Sequence, residues 1–292
     1  MPYKTPPEIA AAGVASGVSK SRLSWDKALV AGFLGGAYIA LAGLLAIVVS
    51  AGLNPASWGG ALTLITGAVF TLGLVLVIVA GSELLTGNMA LLPLGLLARR
   101  LTLRHLVHNF GFVLIGNLVG SLFVAYVLGV KTGVLGAPEP LARLATIATG
   151  KAVTETNSEI FFRAIGCNWL VCLAVWMAIA SDDVGGKILA IFLPITGFVA
   201  LGFDHVVANM FFLPAAIFEH VPGVNWGNTV DNWLFAFLGN FVGAAVFVAG
   251  AYWYLYVRGV PENVPDERGI VASPVENGRQ PAMPAAPTRR AA

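Results

Sequence analysis

Three ionisable side chains, Glu83, Asp204 and His205, interrupt sequence otherwise apolar enough to sit in a bilayer. An ionisable group at membrane depth costs about 3 kcal/mol on insertion scales, so each is a functional candidate. A histidine there offers one ring nitrogen that donates and one that accepts, and it can move a proton. His205 is thus the first choice for a group that meets a solute. The alternative is a buried histidine bonded to a neighbouring helix. Glu83 and Asp204 stand where apolar runs break, and a bracing role is preferred for both, because a carboxylate can take the loose backbone N–H groups of a helix start.

The residues around them follow a repeated pattern. Glu83-Leu-Leu-Thr86-Gly87-Asn88-Met89-Ala-Leu-Leu-Pro93 and Asp204-His205-Val-Val-Ala-Asn209-Met210-Phe-Phe-Leu-Pro214 place acid, Asn-Met and Pro in one register, offset by 121 residues (83 to 204). A second echo follows, Gly116-Asn117-Leu-Val-Gly120 and Gly239-Asn240-Phe-Val-Gly243. Small and turn-forming residues supply the breaks, and Asn88 and Asn209 are expected to tie loop backbone together. Asn117, Asn168 and Asn240 lie within apolar runs. An unpaired buried amide is costly, so each either bonds across helices or faces a wet cavity. Phe70, Leu74, Val171 and Phe198 read as core packing.

The elements that must position these groups are membrane helices. Hydrophobic residues make up 57% and charged residues 11%, against roughly 25% charged in soluble domains. Uncharged stretches cover 28–82, 109–130, 164–181 and 232–257, and about 20 apolar residues suffice for a span. The reading is an all-α membrane protein with six spans, at about 28–52, 60–98, 107–130, 160–181, 187–219 and 230–257. The second and fifth are broken, since the pieces 84–98 and 206–218 are too short to cross ~30 Å of hydrocarbon. Halves that each carry a charged, Asn- and Pro-bearing break signal an internal-repeat transporter or channel. The repeats lie at about 28–130 and 160–258.

Six spans leave both termini on one side. Lys4, Lys20, Arg22, Lys27, Arg99, Arg100, Arg104, Lys187, Arg258 and Arg268 lie with them, and Lys131, Arg143, Lys151 and Arg163 lie opposite. The positive-inside rule then places both termini in the cytoplasm. Residues 1–27 form a cytoplasmic N-terminal segment, with a short helix over 5–23. Residues 259–292, rich in Pro, Ala and Arg from position 260 on, read as a disordered cytoplasmic tail. The net charge of +2 implies no nucleic-acid partner. Cys167 and Cys172 share one span and read as packing residues, not as a disulfide or metal pair. Asn54-Pro55 reads as a helix stop, and His105 with His108 as part of a solvated basic edge, so no metal site or cofactor is expected. No serine or second aspartate is placed for hydrolysis beside Asp204 and His205, which argues against an enzyme.

Three motifs carry a family resemblance: Glu83–Thr86, Phe203–Pro214, and the span Cys167-Asn168-x-x-Val171-Cys172-Leu-Ala-x-Trp176. On these the chain resembles the formate/nitrite transporter family over roughly residues 5–258. The resemblance implies an aquaporin-like protomer of inverted 3+3 repeats, a homopentamer in the cell membrane, and a pore in each protomer that carries small monovalent weak-acid anions. Formate leads, with or without a proton. Nitrite is the alternative, and a neutral-solute channel is more distant. By motif position Thr86 and His205 would meet at the pore centre with Asn168 and Asn240 nearby. Lys151 would attract anions in the outer vestibule. Leu74 and Phe198, with Phe70, Leu85 and Val171, would form apolar constrictions. Asp204 replaces the family's more usual Glu, so its reach is the loose point.

Overall fold

Polar caps ahead of the apolar runs set where the helices begin. In the computed structural model, which describes residues 3–259, α1 is Pro6–Ser21 and α2 is Trp25–Ser50. Next come α3 (Gly60–Gly81), α4 (Leu85–Leu97) and α5 (Leu103–Val130). The second half holds α6 (Pro138–Thr149), α7 (Asn157–Ala180), α8 (Val184–Ala200), α9 (Val206–Phe218) and α10 (Trp226–Tyr256). Five helices, α2, α3, α5, α7 and α10, are long and apolar enough to span, while α4, α8 and α9 are shorter. The architecture among the described residues is all-helical, and the compact unit runs to Arg258.

Several helices start three or four residues before the apolar pattern does. Thr156 caps α7 by accepting from Glu159 N–H, and Glu159 returns a bond from Thr156 N–H at 2.8 Å. Asp183 and Asn225 cap α8 and α10 with their side-chain oxygens. Such caps satisfy the first N–H groups of a helix and admit a polar first turn, which a hydropathy reading assigns to the loop. The helix α6 was not expected at all. Its sequence signals are Pro138 at its first position and Glu139 in its first turn, and it buries Leu144 and Ala148. The short N-terminal helix is present as α1, and the proposed tail over 259–292 falls, from residue 260 on, outside the described residues.

Two helix pairs frame the centre, α2 along α5 and α7 along α10, with α3 lying against α8. The Gly-Asn-x-x-Gly echoes make the framing pairs close. A Cβ on Gly120 would lie 2.0 Å from the carbonyl oxygen of Phe33, and one on Gly243 would lie 2.3 Å from that of Ile165. Only glycine permits such an approach, and it brings Asn117 and Asn240 within reach of the breaks. The breaks themselves are residues 82–84 between α3 and α4 and residues 201–205 between α8 and α9.

Candidate functional site

A broken membrane helix exposes backbone groups that hydrocarbon cannot satisfy, and here an asparagine on a facing helix satisfies them. At the first break the Leu85 N–H donates to Asn117 Oδ1 at 2.9 Å, while Asn117 Nδ2 donates to the carbonyls of Gly32 (2.7 Å) and Glu83 (2.9 Å). At the second, the Val206 N–H donates to Asn240 Oδ1 at 2.9 Å. Asn240 Nδ2 donates to the carbonyls of Ala164 and Asp204, each at 2.8 Å. The expectation that Glu83 and Asp204 would take the loose N–H groups is therefore corrected: amides do so, because an amide both accepts from an N–H and donates to a carbonyl.

The carboxylates instead hold side chains. Glu83 accepts from Lys20 Nζ and from Asn88 Nδ2, both at 2.7 Å, and Asn88 also donates to Asn109 Oδ1 at 2.8 Å. Asn109 Nδ2 closes the circuit on the Lys20 carbonyl at 3.0 Å. The second break repeats this bond for bond. Asp204 Oδ1 accepts from Lys151 Nζ (2.7 Å) and Asn209 Nδ2 (2.9 Å), Asn209 donates to Asn232 Oδ1 (2.8 Å), and Asn232 Nδ2 reaches the Lys151 carbonyl (3.0 Å). Asn88 and Asn209 thus brace the breaks through side chains, not through loop backbone. The shorter Asp204 reaches its cation without difficulty. Lys151, expected as a vestibule charge, is tied to Asp204, with 14% of its side chain exposed against 0% for Asp204.

The two breaks differ where they meet. By register His205 corresponds to Leu84, and Thr86 to Val207. His205 caps α9, its Nδ1 accepting from the Ala208 N–H at 3.1 Å. That bond leaves Nε2 to carry the hydrogen of a neutral ring, and Nε2 lies 2.8 Å from Thr86 Oγ1. The predicted meeting of Thr86 and His205 is realised as a buried hydrogen bond between the starts of α4 and α9. Beside it lies a cavity of about 10 Å³, room for about one water. Its walls are His205 and apolar side chains, among them Phe70, Leu74, Val171 and Phe198. Phe70 and Phe198 meet edge to face at 5.8 Å, and Phe198 lies 5.9 Å from the His205 ring.

Other expected residues sit elsewhere. Leu85 is fully buried and does not line this cavity, whereas Leu84 does. Asn168 donates to the carbonyls of Thr86 (3.1 Å) and Asn240 (2.9 Å). Neither Asn168 nor Asn240 is among the cavity walls; both amides are engaged with backbone. Cys172 Sγ also meets the Thr86 carbonyl at 3.3 Å, and both cysteines are free and buried. His105 caps α5 through Thr102, His108 packs on Phe112, and no cluster of potential metal ligands occurs among the described residues.

Sequence reasoning passed over Lys20, Asn109, Asn232, Glu155 and Arg163. Asn109 and Asn232 were legible, since each precedes its partner, Asn117 or Asn240, by eight residues, two turns of one helix face. Glu155 lies between the α6 segment and α7. Its Oε1 accepts from Arg163 at 2.6 Å, and its carboxyl lies within range of the Asp204 charge. Burial, then the neighbouring Asp204 charge, push the Glu155 carboxyl up to about 7 against the opposing pull of Lys151 and Arg163.

The sequence profile described as formate/nitrite transporter matches residues 7–254. A probable formate transporter of Methanothermobacter thermautotrophicus is 47% identical over 271 residues, covering 88% of this chain and 98% of its own length. A formate channel of Bacillus thuringiensis is 42% identical over 258 residues, covering 88% and 98%. A solved pentameric formate channel with formate bound superposes with a TM-score of 0.71 at 28% identity, covering 80% of this chain and 98% of that one. With five apolar spanning helices and a profile match across nearly the whole compact unit, this chain is a multi-pass membrane protein that belongs to the formate/nitrite transporter family.

Proposed function

We propose that the chain moves small monovalent weak-acid anions, formate first, across the cell membrane through a pore at the Thr86–His205 join. In this reading there are six crossings in two inverted repeats, with α3–α4 and α8–α9 forming the broken ones and 28–258 the transport domain. Both termini are cytoplasmic, as the basic residues divide. The protomers assemble as a homopentamer like the related formate channel, which is consistent with exposed apolar side chains such as Ile115, Val119 and Phe123 on α5.

The observation that carries the reading is the Thr86–His205 hydrogen bond beside a small, mostly apolar cavity. An anion entering such a cavity loses its hydration, with an idealised Born cost of about 20 kcal/mol. Two effects offset it. The Nε2–H and the Thr86 hydroxyl can turn from each other to the passing oxygen, a charge-assisted bond, and α4 and α9 both begin at the join, so their N-terminal dipoles favour negative charge there. A proton taken up with the anion removes most of what remains. Asn168 and Asn240 act here by holding the backbone that positions the two donors.

Uptake of formate, nitrite, acetate, lactate and hydrosulfide into proteoliposomes, compared across pH, tests the reading. Formate is expected to move fastest, and a protein inert toward all five would refute it. Nitrite is the second reading, favoured by the family's paired description. A neutral-solute channel leaves the histidine and threonine pair without a use.

A further inference from the structure

The two circuits that brace the breaks match residue for residue except at one mouth. Where the second half has Glu155 and Arg163, the register of the first (an offset of 132, Ser24 to Thr156) puts Leu23 and Ala31, so these positions give the Lys20–Glu83 pair no charged companion. On the Lys151 side the four side chains form a chain: Arg163 donates to Glu155 Oε1, and Lys151 donates to Asp204 Oδ1. That leaves Glu155 Oε2 and Asp204 Oδ2, both buried and both without a hydrogen-bond partner. The two carboxyls lie near enough for the Asp204 charge to act on Glu155. Two buried carboxylate oxygens that lack donors and sit beside like charge favour holding one proton between them. The charged groups acting on Glu155 are Asp204, Lys151 and Arg163. Around Asp204 stand Lys151, Asn209 from α9, and the buried neutral Cys167 from α7.

We propose that the Glu155–Asp204 carboxyl pair is a proton-binding site at the Lys151 mouth that couples capture of the anion to uptake of one proton. With the proton in place the cluster is Lys151⁺, Arg163⁺ and one shared negative charge, a net charge of +1. Without it the cluster is neutral and offers an anion no attraction. Asp204 is wholly buried and salt-bridged, whereas Glu155 is 11% exposed beside Arg163 at 39%. The proton therefore enters and leaves through Glu155. Burial and the Asp204 charge put that exchange at about pH 7. Among the described residues the Lys20 mouth shows no equivalent pair, so anion capture is proton-linked from the Lys151 side.

The transport arm of the test rests on the function proposed above, and a spectroscopic arm does not. In proteoliposomes, the apparent affinity for formate presented to the Lys151 mouth should fall roughly 4- to 20-fold between about pH 6 and about pH 8.5, the effect of one unit charge at about 5 Å in a wet mouth. Glu155→Gln keeps a donor toward Asp204 and fixes the charge at +1, so its affinity should stay high and flat over that range. In substrate-free protein, the infrared stretch of a protonated carboxyl should titrate near pH 7 and be missing from Glu155→Gln. A flat wild-type affinity, a variant that keeps the wild-type profile, or the lack of a carboxyl band titrating near neutrality would each overturn the proposal. If formate is not taken up at all, the proposed function fails, and the infrared titration still decides whether the pair binds a proton.

Discussion

Replacing Asn240 by alanine removes a side chain that makes three hydrogen bonds at a wholly buried site. The groups left behind are the Val206 N–H and the carbonyls of Ala164 and Asp204, in a region where water has little access. Leaving a buried donor or acceptor unpaired costs about 1–3 kcal/mol each, so the loss should be roughly 3–9 kcal/mol before relaxation. At least 3 kcal/mol should survive, a large share of typical protein stability. Asn117→Ala strips an equivalent set, the Leu85 N–H and the carbonyls of Gly32 and Glu83, and should cost a similar amount. Leu238→Ala on the exposed face of α10 should stay within about 0.5 kcal/mol. Reversible unfolding in mixed detergent micelles measures all three. A role for Asn240 as a pore ligand makes the opposite forecast: weaker apparent affinity for formate at nearly unchanged stability. A loss below about 1 kcal/mol accompanied by that weaker affinity would refute the bracing account.

His205→Phe removes the donor to Thr86 while filling the cavity, and formate flux should drop roughly ten- to a hundredfold, the worth of one hydrogen bond to a charged group. His205→Asn keeps a neutral donor and should recover much of that flux. If His205→Asn abolishes the pH dependence while Glu155→Gln retains it, the proton is handled by the histidine. Lys151→Ala leaves the Asp204 carboxylate buried without its cation, and breaking a buried pair costs about 3–5 kcal/mol. The double change Lys151→Ala with Asp204→Asn should restore most of it, and thermal unfolding of these two variants against the unaltered protein checks this. Single cysteines at Gly136 and Pro222 should label from outside in intact cells, and one at Pro265 only after permeabilisation, which a membrane-impermeant thiol reagent reads directly.

The class of this protein was decided by its sequence alone. Runs of uncharged apolar residues admit only spanning helices, and the repeated acid, Asn-Met and Pro register marked both breaks and singled out His205. The family resemblance added Thr86 as its partner, and the 2.8 Å contact bears out their meeting, because chain-local register suffices when two equivalent breaks face each other. What lay beyond reach were contacts between segments far apart in the chain. Asn117 and Asn240 read as open choices between helix bridging and a wet cavity, since an amide in an apolar run has the same sequence signature in both. The close packing that Gly120 and Gly243 permit decided for bridging. The same holds for the carboxylates. A lone acid at a helix break suggests backbone capping, and only the fold brings Lys20 to Glu83 across 63 positions and Lys151 to Asp204 across 53. Glu155 shows the limit most sharply: an acid in a polar linker carries no mark of burial, and its carboxyl acquires a use only because the fold seats it against Asp204.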